Sequence, residues 1–284
     1  MRHPTFLVFA LASVGCFAQS QALKPTAFLT ILQNMPSQIR AGTFDQEAFK
    51  ASLAEAQKDA NLDVAAASRL LEADLADSNS GVNFWAYASL GDLMRRKSNT
   101  DGDRQILGST LFTCIDRSKE SSQNVCVSLV TDYGIPMSIL AQFKDAAARK
   151  IADGTAYPAL AVGLGLLSTR RQIVNADAVL ADFFSSPRVP DTVKAKAIFS
   201  LQNMPLSDQV LDAVAELLSK TKSDELKLQI IQASQKFGGH AMEREHNTLL
   251  ALEANLSESE HVRQAAGNAL RVTAQGGTTN PGIH

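Results

Sequence analysis

An excess of charge of one sign is missing from this chain. Its 27 lysines and arginines stand against 29 aspartates and glutamates, a formal net charge of −2. Nucleic-acid binders and proteins held on anionic membranes use concentrated basic surface, so neither partner is expected. Aromatic residues are scarce at 6%, and tryptophan occurs once. No run alternates apolar and polar residues for long enough to predict a strand. Beyond the first 20 or so residues no stretch is long and apolar enough to anchor the chain in a bilayer.

Catalytic spacings are missing too. No serine sits in a Gly-x-Ser-x-Gly elbow. Gly163-Leu164-Gly165 lacks the preceding strand and third glycine of a phosphate loop. It reads instead as small residues that let helices pack closely. The densest cluster of metal-ligating types is His240, Glu243 and His246. A zinc helix of the His-Glu-x-x-His kind needs histidines four apart, and these are six apart. Neither metal nor cofactor is expected. The cluster reads as a solvated first turn with acids favoured by the helix dipole. It is also where acid–base chemistry would sit if separated residues assembled an active site.

What is present begins at the amino terminus. Arg2 and His3 precede an apolar run from Phe6 to Phe17, followed by Ser20-Gln21-Ala22. That run is too short to span a membrane and has the length of a signal-peptide core. Residues 1–22 are therefore expected to be a signal peptide cleaved after Ala22, with Ala18 the alternative and lipidation at Cys16 the minority reading. Export, to the periplasm or outside the cell, changes the meaning of the other cysteines. Cys114 and Cys126 would be an even pair in an oxidising compartment, where a disulfide is favoured. The short loop it closes is worth about 3 kcal/mol in the chain-entropy model.

From Lys24 onward the segments read as helices of about four turns, rich in alanine and leucine, both good helix formers. Thr43–Gln46 and Ser257–Glu260 have the spacing of capping boxes. Asn175, Ser207 and Ser223 suit N-caps, Pro136 suits a first turn, and Gly238-Gly239 a helix stop. The pentapeptide LQNMP occurs at 32–36 and again at 201–205. Both copies read as a helix ended by proline, a shared stop signal rather than a duplication. Residues 276–284 carry no apolar pattern and are expected to be disordered.

Three stretches align as a repeat: DTVKAKAIFSL from Asp191, DELKLQIIQAS from Asp224 and EHVRQAAGNAL from Glu260. Their starts are 33 residues apart (191 to 224) and 36 apart (224 to 260). Each has an acid, a base three residues later, and small or aliphatic residues at the seventh and tenth places. Each follows another amphipathic segment, at 178–184, 210–218 and 248–256. This helix-pair repeat resembles the HEAT and armadillo-like families, most closely at Glu260–Leu270. Lys194 and Lys227 stand where that family commonly has arginine. The resemblance implies an all-α superhelix, a right-handed solenoid of antiparallel helix pairs. It would cover residues 61–275, clearest over 191–274, after N-terminal helices at 23–60. Such arrays usually bind other proteins, so a non-enzymatic scaffold is the expected function and an extracytoplasmic enzyme the alternative. Lys194, Lys227 and Arg263 recur at one position of three repeats. They could form a row of cations that meets an acidic segment of a partner, or a ladder that holds neighbouring repeats in register.

Overall fold

The computed structural model describes residues 27–117, 126–127, 129–131, 135–170, 172–237 and 239–276. Among them are thirteen α-helices, one 3-10 turn and no strand, so the all-α expectation is met. The helices are α1 (Ala27–Ala41), α2 (Gln46–Lys58), α3 (Val64–Leu75), α4 (Ser80–Met94) and α5 (Asp101–Arg117). The 3-10 turn Leu129–Thr131 precedes α6 (Met137–Asp153), α7 (Pro158–Thr169), α8 (Ala176–Ser185) and α9 (Asp191–Leu201). α10 (Asp208–Lys220), α11 (Asp224–Phe237), α12 (Gly239–Ala254) and α13 (Glu260–Gly276) complete the series. The expected signal peptide, its cleavage site, Cys16, the side chain of Cys114 and residues 277–284 lie outside the described residues.

Each helix packs on the next but one, which sorts them into two layers. One layer runs α1, α3, α5, α6, α8, α10, α12; the other runs α2, α4, then α7, α9, α11, α13. The layers change parity at one place. There α5 meets α6 directly, and the 3-10 turn takes the second layer's position, packing on α7 with Leu129 close to Gly91 of α4. α1 and α2 join the layers on the same terms as the helices beyond residue 60. Neighbours packing in a row make a solenoid-like stack, and one contiguous apolar core runs along it from Phe28 to Ala269.

The three aligned stretches begin α9, α11 and α13, successive members of one layer, and the segments expected to precede them lie in α8, α10 and α12. Polar ties repeat with the same period. Arg40 bonds Asp77, Arg96 bonds the Asp59 carbonyl and Arg188 the Ala152 carbonyl, over separations of 37, 37 and 36 residues. Lys236 to Gln202 spans 34 and Arg244 to Asp212 spans 32. The period thus extends upstream of residue 191, where the sequence pattern fades. Close approach supplies a further constraint. A Cβ on Gly163 would lie 2.7 Å from the Phe143 ring, and one on Gly165 would lie 3.0 Å from both Leu201 and Met204. Glycine here lets α7 sit against α6 and α9, as the sequence suggests.

Two local expectations are corrected. Pro36 does not stop a helix, because α1 runs through it to Ala41. Leu32 and Met35 before it are fully buried, and Ile39 after it packs on the core. That burial outweighs the proline's preference against a helical predecessor. At the second copy α9 does end, at Leu201, and Ser207 opens α10. Both capping boxes start two residues too early. The Thr43 amide bonds the Gln38 carbonyl at 2.9 Å beside Gly42 at φ +71°, so Thr43 belongs to the end of α1. Asp45 caps α2, accepting from the Glu47 and Ala48 amides. Likewise the Ser257 amide donates to Asn255 Oδ1 in a turn, and Ser259 caps α13.

Candidate functional site

The first turns of α9, α11 and α13 are built alike. Asp191, Asp224 and Glu260 open the helices, where an acid meets the positive end of the helix dipole. The base three residues on faces the same way. Ser223 and Ser259 cap α11 and α13, their Oγ atoms accepting from the Leu226 and Val262 amides at 3.3 and 3.4 Å. The three cations lie at equivalent positions, as the repeat predicts, but in different surroundings.

Lys227 is buried, and its Nζ donates to Glu258 Oε2 at 2.6 Å. Glu258 sits in the turn just before α13, so this bond ties α11 to the following unit. Arg263, in the last described unit, is half-buried, and its Nε is buried without a hydrogen-bond partner. Lys194 is 4% exposed, and its ammonium makes neither a hydrogen bond nor an ion pair among the described residues. Burial holds its ammonium below the usual lysine range, and the nearby Asp191 charge partly offsets this. Asp191 itself accepts from Thr221 Oγ1 at 3.0 Å. Of the three, Lys227 alone makes a described bond to the following unit, and Lys194 and Lys227 are both buried.

Lys194 opens onto a cavity of about 460 Å³ between α8, α9 and α10. Phe184, Ala213 and Leu217 form an apolar wall, and Glu216, Lys220 and Lys222 bring charge. Glu216 and Lys220 pair with each other along α10.

The His240 cluster is not brought into a cleft. His240, Glu243 and His246 are all exposed on α12, with His240 Nδ1 3.8 Å from Glu243 Oε2. No group of three or more potential metal ligands occurs among the described residues. The acid between them behaves differently. Glu245 is 1% exposed, and burial pushes its pKa up to about 7, opposed by a 2.6 Å hydrogen bond with Ser234 Oγ. Ser234 Oγ is also 2.9 Å from the Ile230 carbonyl and has one proton. Glu245 Oε2 is buried without a hydrogen-bond partner, which adds to the cost of charging this carboxyl. A signal for Glu245 was available, since Met242, Glu245, Leu249 and Leu252 form one helical stripe. Asp74, at the end of α3, is also raised to about 7, by burial first and then by Asp77, with Arg40 opposing. Cys126 is buried and disulfide-bonded; the expected pairing with Cys114 falls on a side chain outside the described residues.

Fold and site together define an all-α helical stack in which acid and base recur at the first turns of three successive helices of one layer. Comparison of the chain with protein-family models, curated proteins and solved structures finds no match. No described helix is long and apolar enough to cross a membrane.

Proposed function

We propose that this chain is an exported, non-enzymatic helical-repeat scaffold of the HEAT-like kind that binds another protein through an acidic segment. The observation that carries the reading is the two-layer stack, with helices packed next but one and polar ties repeating at 30 to 37 residues. Stacks of this kind present long surfaces with one element per unit, a geometry suited to extended protein partners. The exposed His240, Glu243 and His246 side chains offer an enzyme no enclosed site, so the scaffold is preferred.

Affinity capture with the mature protein from its native envelope fraction tests the function. A saturable, stoichiometric protein partner supports it. Substrate turnover without such a partner overturns it. Export has its own test: native protein should begin at Leu23, and an intact Met1 or a lipid on Cys16 would refute cleavage after Ala22. Non-reducing peptide mapping should find Cys114 linked to Cys126. Two freely alkylated thiols would rule that bridge out.

A further inference from the structure

The two ladder junctions differ by one reversal of charge. Ser223 and Ser259 cap successive helices of one layer in the same way. The residue before each cap is therefore equivalent: Glu258 before Ser259, Lys222 before Ser223. In the preceding helix of the layer, the buried lysines are also equivalent, each the fourth residue from an opening aspartate. Lys227 receives the Glu258 carboxylate. Among the described residues no carboxylate makes such a bond to Lys194, and Lys222 stands where the glutamate would be. Lys194 and Lys222 instead line the same cavity.

The two acids at that cavity each have a partner. Asp191 is held by the Thr221 hydroxyl, and Glu216 is paired with Lys220. The charged side chains lining the space of about 460 Å³ are Asp191, Glu216, Lys194, Lys220 and Lys222, which leaves an excess of one positive charge. Ligand sites begin near 300 Å³, whereas a water's share of the liquid is about 30 Å³. The apolar wall of Phe184, Ala213 and Leu217 suits the methylene carbons of an entering side chain. The Asp191 charge offsets the burial of the Lys194 ammonium only in part, and a carboxylate bonded directly to the ammonium would offset more of it.

We infer that this cavity receives an aspartate or glutamate side chain of a bound polypeptide, whose carboxylate takes at Lys194 the place that Glu258 takes at Lys227, with Lys222 flanking it. The inference rests on the scaffold reading and names the chemistry its partner must present.

The test uses a fluorescein-labelled, end-capped tetraglutamate peptide, with tetraglutamine as control, read by fluorescence polarisation. The wild-type protein should bind the acidic peptide and not the control. Lys194→Gln should weaken binding tenfold or more. Lys236→Gln, at an exposed lysine bonded to Gln202, should leave it unchanged. Lys222→Glu is the decisive variant. It recreates the Lys227–Glu258 arrangement within the chain, so it should raise the unfolding temperature and abolish peptide binding together. Because that variant is expected to gain stability, lost binding in it is not a folding failure. Equal binding by all variants, or no preference for glutamate over glutamine, overturns the inference. So does free glutarate binding where the peptide does not, which would make the occupant a small acid. Failure here leaves the scaffold reading standing, since capture of a partner is scored independently of this cavity.

Discussion

The junction at Lys227 and the junction at Lys194 share helix order, opening acid, buried lysine and serine cap. One is closed by Glu258 and the other meets Lys222. Where the carboxylate belongs to the chain, the lysine's charge works for cohesion between units. Where it does not, the same charge is left facing a cavity. A repeat can therefore turn a structural position into a recognition position by changing one residue in a neighbouring turn, without disturbing the helix that carries the lysine.

The largest expected effect comes from opening the closed junction. Glu258→Ala leaves Lys227 buried and unpaired, at a cost of about 3 kcal/mol. Lys222→Ala, at the equivalent place, should change stability by no more than about 0.5 kcal/mol. Urea unfolding of the two variants measures the contrast, and equal losses would break the comparison.

A second effect belongs to the Lys227 side alone. Glu245 and Ser234 meet between α11 and α12, whereas the position equivalent to Ser234 in α9 is Leu201, fully buried. Because the folded pKa of Glu245 is raised to about 7, its stabilisation is complete below the unfolded value of 4.5 and is lost as pH rises through 7. Between pH 5 and 8 this should remove about 2 kcal/mol, with each pKa unit worth about 1.4 kcal/mol. Glu245→Gln should flatten that dependence, apart from the part carried by Asp74, which is raised in the same direction. An unchanged pH profile of the unfolding midpoint would refute the neutral buried carboxyl.

The smallest effect is a difference of sign. Lys194→Met removes an unpaired buried ammonium and should stabilise by about 1 kcal/mol, whereas Lys227→Met orphans the Glu258 carboxylate and should destabilise by about 1 kcal/mol. Thermal melts at one pH show whether the two lysines respond in opposite directions.

Much of the fold was legible because helical periodicity and acid-first helix starts are local properties of sequence. The three aligned stretches begin three helices of one layer for that reason. What misled was also local. LQNMP is one pentapeptide with two outcomes, since the burial of Leu32, Met35 and Ile39 that carries α1 through Pro36 comes from the neighbouring helices. The capping boxes failed where Gly42 and Asn255 build turns that claim Thr43 and Ser257 first. Position and charge of Lys194 and Lys227 were readable, but their burial was not, because it depends on the helices of the other layer. The reversal of Glu258 and Lys222 was in the sequence all along. It is visible only when the turns, and not just the helices, are aligned.

The ties at one repeat length also have a mechanical meaning. A bond that reaches only the adjacent unit carries load only across its own junction. A pull on the two ends of the stack therefore passes through the junctions in series, each bearing the same force, and their compliances add. Extension concentrates at the softest coil. The Lys194 junction is tied by the Thr221–Asp191 and Lys236–Gln202 bonds, where the next junction has the Lys227–Glu258 ion pair. An acidic side chain seated in that cavity would add an ion pair across this junction and so stiffen that turn of the spring.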